Sequence, residues 1–191
     1  QKVVEVVESA GYYQDIGSNI KAALKTRIGN LTLGVKGKIF NSRHCFDYSI
    51  LFTKPTIIEL SNIVNDDEKA FLMGLLLSKL YQYREENGSS DTLRHITVIE
   101  EAHRLLPNIS TNTNQENANP RGKAVETFTN ILAEIRSYGE GIIVADQIAS
   151  KLHVDVIKNT NVKIIHRTMD LEDRNIVGKS VNLNEDQILD I

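Results

Sequence analysis

Apolar positions along the chain fall into two rhythms. T-I-I-E-L, directly after Pro55, predicts a strand over 56–60. Asn65 and Glu68 then have capping-box spacing, with Asn in place of the usual Ser or Thr. From Asp66 to Glu86 the apolar residues Phe71, Leu72, Leu75, Leu76, Leu80 and Tyr83 recur at helical spacing, and Gly88 is the stop signal. Met73 and Leu77 widen that face, so a well-buried helix is expected. Ile96 to Ile99 is a second strand candidate. Residues 107–122 are asparagine-rich and aperiodic, which predicts a loop. Val125, Phe128, Ile131, Leu132, Ile135 and Tyr138 line one face of a helix over about 123–138, ended by Gly139. Gly141 to Ala145 and Val162 to His166 read as further strands. From Asp170 the chain is polar and helical in two pieces, broken near Gly178.

The first 54 residues are less regular. Val3, Val4, Val6 and Val7 cluster, Ser18 is placed to cap a helix over Asn19 to Ile28, and Gly29 would close it. Residues 31–54 read as weakly extended. The expected organisation is an N-terminal segment over 1–54 and an α/β region over 55–191. Strand–helix–strand alternation is the rhythm of a parallel sheet flanked by helices. Ligands of such sheets sit beyond the carboxyl ends of the strands. Three predicted strands end in polar residues there: Glu100 and Glu101, Asp146 and Gln147, His166 and Arg167.

Totals narrow the function only a little. The chain has 191 residues, 41% of them hydrophobic and 25% charged, with a net charge of −3. That is an ordinary balance for a globular domain. The single cysteine, Cys45, excludes an internal disulfide and a cysteine zinc cage. A reducing, cytoplasmic setting is the simplest expectation. No apolar run approaches the ~18 residues a membrane span needs. The chain begins at Gln1 rather than Met, as a fragment or processed product would.

Two adjacent acids at the end of an apolar strand suit nucleoside triphosphate hydrolysis. Mg²⁺ must sit beside the β- and γ-phosphates, and a second group must orient the attacking water. Alternatively, Glu100 and Glu101 open a solvated helix, where acids suit the dipole. The flanking residues favour the first reading. I-T-V-I-E-E-A-H-R-L-L-P resembles the Walker B segment of HerA-like DNA-translocating ATPases, relatives of the FtsK motors in the RecA-like P-loop class. A-E-I-R-S-Y-G-E-G-I-I-V-A-D-Q is similar to that family's arginine-bearing helix, glycine turn and strand ending in glutamine. T-I-I-E-L-S and H-R-T-M-D-L-E-D-R-N-I-V-G extend the resemblance across about residues 55–191.

The resemblance implies a RecA-like fold, a ring of subunits read as a hexamer, ATP and Mg²⁺ as cofactors, and movement along duplex DNA. It also implies a NurA-like nuclease as a partner. Glu100 takes the metal-side position, where many such enzymes have Asp. Glu101 takes the catalytic position and Gln147 the polar sensor of the γ-phosphate. Arg136 matches the arginine that reaches a neighbouring subunit's nucleotide, or else pairs on the surface with Glu134 or Glu140. Arg121 and Lys123, in or beside the 107–123 loop, are candidate DNA-phosphate contacts. Asp146 departs from the small or hydroxyl residue expected beside the glutamine.

The phosphate loop itself is missing. G-x-x-x-x-G-K-[ST] occurs nowhere. The G-K-S at 178–180 has Asp173 where the first glycine belongs and follows a polar helix, so it reads as a helix stop. The chain is therefore expected to be the C-terminal part of a longer ATPase that binds ATP poorly alone. Two rivals remain: a regulatory or scaffold domain that kept the fold without catalysis, and a DEAH-type superfamily-2 helicase. The latter lacks its serine-alanine-threonine and arginine-rich elements here. Glu100-x-x-His103 has di-iron ligand spacing but no second copy, which favours a structural His103.

Overall fold

The computed structural model describes residues 5, 9, 14–33, 37, 47–108 and 120–191. Two compact units divide them, Gln1–Asp47 and Tyr48–Ile191. In the first, helix α1 spans Gln14–Leu31, longer at both ends than the expected Asn19 to Ile28. Gly29 does not close it. It lies within the helix without a positive φ, and a Cβ there would meet nothing within 4 Å. The valine cluster and residues 38–46 lie outside the described residues.

The second unit begins with a short helix, α2 (Tyr48–Leu51), where extended chain was expected. Phe52 follows it into the core at 6% exposure and stacks with Tyr48, with centroids 5.7 Å apart. Helix α3 spans Asp66–Glu86 as the pattern predicts. Asn65 caps it, its side-chain oxygen accepting the Glu68 N–H at 3.1 Å, and three acids in the first turn suit the helix dipole. Its buried stripe is Gly74, Leu77, Leu80 and Arg84, rotated from the predicted face, and Phe71 is 46% exposed.

Strand β1 (His95–Glu100) and strand β2 (Glu140–Ala145) pair in parallel, Ile96 with Gly141, Val98 with Ile143 and Glu100 with Ala145. The crossover between them contains α4 (Pro120–Glu134), which passes into a 3₁₀ turn over Ile135–Tyr138. Gly139 then reverses the chain at φ 78°, where a Cβ would lie 2.6 Å from the Thr92 carbonyl oxygen; only glycine suits both demands. α4 begins at Pro120, three residues before the expected start at Lys123, and residues 109–119 of the predicted loop lie outside the described residues. α3 and α4 approach closely at Gly74, which faces the ring of Phe128.

Two predicted strands are absent from the sheet. Among the described residues the sheet has two strands, and neither 56–60 nor 162–166 joins it. Ile57 is 95% exposed, Val162 80% and Ile164 83%. Apolar alternation gives a segment strand propensity, but a strand exists only where a partner backbone is in place. The β1–β2 sheet is covered on one face, where Ile99, Ile142 and Val144 meet the core. Ile96, Val98 and Ile143 on the other face are half exposed. A parallel sheet ordinarily has both faces covered.

Beyond β2 come α5 (Val154–Asn159), α6 (Leu171–Ser180) and α7 (Glu185–Leu189). The two C-terminal helices match the expected pair, but the break falls after Ser180 rather than at Gly178. Gly178 lies inside α6, where a Cβ would sit 2.5 Å from Ile188 Cγ1, so its small size lets α7 pack. The G-K-S tripeptide is the last turn of a helix. Among the described residues, no helix is long and apolar enough to cross a membrane.

Candidate functional site

β1 and β2 leave the sheet side by side, because Glu100 is in register with Ala145. Glu100, the last residue of β1, is exposed. Its carboxylate makes no hydrogen bond or ion pair among the described residues. Glu101 then takes a left-handed backbone, φ 50° and ψ 44°, an uncommon conformation for a residue with a side chain. Such outliers concentrate where a side chain must be aimed. The chain continues into a 3₁₀ turn over Ala102–Arg104, anchored by Ala102 at 0% exposure and Leu106 at 0%.

The Glu101 side chain is 41% exposed and has three polar neighbours. Gln147, from the exit of β2, donates from Nε2 to Oε1 at 3.4 Å. His103 Nε2 lies 3.8 Å from Oε2 and Arg104 Nη2 3.9 Å from it. Arg104 Nη1 also pairs with Asp66 in the first turn of α3. Asp146, 7% exposed in its side chain, faces His103. Burial pushes its carboxyl up, but the N–H groups of Ile148 and His103 and the His103 imidazole outweigh that and hold it below the usual carboxylate range.

The structure thus brings Glu100, Glu101 and Gln147 to one rim. Arg136 is elsewhere. It lies in the 3₁₀ turn before β2, at the opposite end of a six-residue strand, ~20 Å from the rim at about 3.3 Å per residue. It is exposed and forms no ion pair among the described residues. Glu140 is instead taken up by Arg84. Arg121 and Lys123 fall within the first turns of α4, and the positions of their side chains lie outside the description.

Among the described residues, no group of three or more His, Cys, Asp or Glu side chains could hold a metal. The rim instead offers one free carboxylate, Glu100. That suits a hydrated Mg²⁺, which takes most of its ligands from water and substrate phosphates. A nearby groove of about 450 Å³ between α3, the turn after β1 and α4 is lined mainly by apolar groups, with Asp67 and Arg104 among them, and without Glu100 or Glu101.

Sequence reading favours a structural His103 and marks Asp146 only as unexpected beside Gln147; the structure makes the two partners. The signal was present: a histidine two places after one strand's acid and an aspartate beginning the other strand's exit. Only the register makes them neighbours.

No protein-family model matches this chain. It is 31% identical over 97 residues to a protein of Methanocaldococcus jannaschii described as a probable DNA double-strand break repair helicase HerA. That match covers 50% of this chain and 17% of the relative, so the chain spans a small part of the relative's length. Among solved structures, the genome packaging NTPase B204 of Sulfolobus turreted icosahedral virus 2, in complex with AMP, overlaps 72% of this chain and 57% of its own at TM-score 0.45 and 16% identity. The same protein with ATP-gammaS gives TM-score 0.45 at 17% identity. The second unit is α/β with a parallel strand pair, and the chain is similar in sequence over half its length to HerA.

Proposed function

We propose that this chain is the C-terminal part of the ATP-hydrolysing core of a HerA-like DNA translocase, its phosphate-binding loop lying upstream in a longer polypeptide. The observation that carries the reading is the meeting of Glu101 and Gln147 at the rim of a parallel strand pair, beside the free carboxylate of Glu100. The sequence likeness to HerA supports it independently.

In this reading ATP binds across the rim. Glu101 accepts a hydrogen bond from water and orients it toward the γ-phosphate, taking its proton as the new P–O bond forms and the bond to ADP breaks. Gln147 holds the γ-phosphate or the same water from the adjacent strand. Glu100 would hold Mg²⁺, through water, and the bound ion would neutralise charge developing on the phosphates. Arg136, at the far end of β2, has no place in its own subunit's rim. It would serve a neighbouring subunit's nucleotide in a ring, read as a hexamer. DNA would be the track, with Arg121 and Lys123 touching its phosphates, a nuclease the partner, and the cytoplasm the setting.

The test is DNA-stimulated ATP hydrolysis by the chain joined to its upstream sequence, with and without Glu101→Gln. The variant is expected to lose turnover by roughly 10³-fold while still binding ATP, since orientation of the water is lost and binding is not. Unchanged turnover would overturn the reading in favour of a domain that kept the fold without its catalysis.

A further inference from the structure

Asp146 is bonded to the neighbours of both candidate groups, His103 beyond Glu101 and Ile148 beyond Gln147. It precedes Gln147, and the strand register sets it beside the turn that follows Glu101. Its Oδ2 accepts the main-chain N–H of His103 at 2.8 Å, and its Oδ1 accepts that of Ile148 at 3.0 Å. The His103 imidazole adds Nδ1 contacts of 3.1 and 2.9 Å to the same two oxygens. A carboxylate only accepts, so Nδ1 carries the proton. One side chain therefore fixes the residue two places after Glu101 and the residue one place after Gln147. At 7% exposure, water competes with these bonds very little.

We infer that Asp146 and His103 are positioning residues, a carboxylate–imidazole staple across the two strand exits that sets the distance and pose of Glu101 relative to Gln147. The inference rests on the hydrolytic reading above. The turn's own bonds, Arg104 N to Glu101 O and Leu105 N to Ala102 O, both 3.0 Å, are local to β1's exit. They shape the turn but do not refer it to β2. The staple does so. Because Glu101 has a left-handed backbone, the direction of its side chain depends on the turn staying closed. His103 also presents Nε2 to the Glu101 carboxylate at 3.8 Å, opposite Gln147 at 3.4 Å, so the acid is flanked on both oxygens.

A merely structural staple would lower stability and leave turnover per folded molecule alone. A positioning staple acts on the reaction, since misplacing a reacting group by about 1 Å costs on the order of 10²-fold in rate. In the polypeptide with its upstream sequence, Asp146→Asn is expected to lower kcat by ~10²-fold with KM for ATP within about twofold. Its melting transition should stay cooperative. His103→Asn, whose amide can still donate to Asp146, should keep more turnover than His103→Ala. In the 191-residue chain, Asp146→Asn should speed hydrogen exchange of the His103 and Ile148 amides together. Full kcat in folded Asp146→Asn would overturn the inference. If that variant does not fold, equal turnover of His103→Asn and His103→Ala would overturn it instead. Should Glu101→Gln lose turnover while folded Asp146→Asn keeps the wild-type kcat, the staple alone falls; should Glu101→Gln turn over normally, the hydrolytic reading falls with it.

Discussion

The two ends of the β1–β2 pair hold the same kinds of side chain and use them in opposite ways. At the start of the strands, Glu140 is wholly buried and accepts from Arg84 at 2.7 Å, His95 at 2.8 Å and Thr97 at 2.6 Å. Arg84 also donates to the Phe52 carbonyl at 2.7 Å, tying α3 and the segment after α2 to the sheet. At the other end, Glu101 is 41% exposed and its three polar neighbours stand at 3.4 to 3.9 Å. One end is saturated and closed. The other is held by a buried aspartate behind it and keeps spare bonding capacity in front. Burial and pairing therefore separate a structural glutamate from a candidate catalytic one, where residue type does not.

The sharpest break in that contrast comes from removing each acid in turn. Glu140→Ala strands the buried Arg84 charge and should cost about 3–5 kcal/mol, read by urea unfolding. Glu101→Gln should change stability by no more than about 0.5 kcal/mol, because its contacts are exposed and long. Equal losses would erase the distinction between the ends.

A smaller effect tests the scaffold joining them. α3 carries Asp66, paired with Arg104, near one end and Arg84 near the other. At Gly74 between them, an added Cβ would lie 2.4 Å from Phe128 Cζ. Gly74→Ala gains up to ~1 kcal/mol of helix propensity but overpacks by about 1–3 kcal/mol, for a net loss of ~1 kcal/mol in thermal or urea unfolding. A gain in stability would mean that α3 and α4 part without cost.

The smallest effect is a dependence on pH. Because the folded protein holds the Asp146 carboxyl below its ordinary value, the ionised group contributes stability above the unfolded value of about 4. That contribution fades as pH falls through the lower folded value. The stability gap between the wild type and Asp146→Asn should therefore narrow steadily on acidification below about pH 4, followed by urea midpoints. A gap that stays constant into strong acid would mean that the carboxylate's charge does not matter to the staple.

Much of this arrangement could be read from the sequence where the cause is local. α3 follows from its apolar rhythm and its Asn65 cap, and β1 and β2 from apolar runs between turn signals. The acid pair and Gln147 stood out because they end those runs. The rest depended on partners. T-I-I-E-L and V-K-I-I-H carry strand propensity, yet no described backbone pairs with them. The buried stripe of α3 takes in Arg84, whose partner Glu140 lies 56 residues away. Asp146 looked out of place beside Gln147 until the register set it against His103, 43 residues earlier. Separations of that kind leave no periodic trace.

The left-handed turn at Glu101 has a genetic corollary. Glycine is the residue most at ease at that point, and an L-side chain there costs roughly 1–2 kcal/mol. Random drift under selection for folding alone would tend to replace the glutamate with glycine or asparagine. Its presence marks a position where the local optimum for the backbone and the retained side chain disagree.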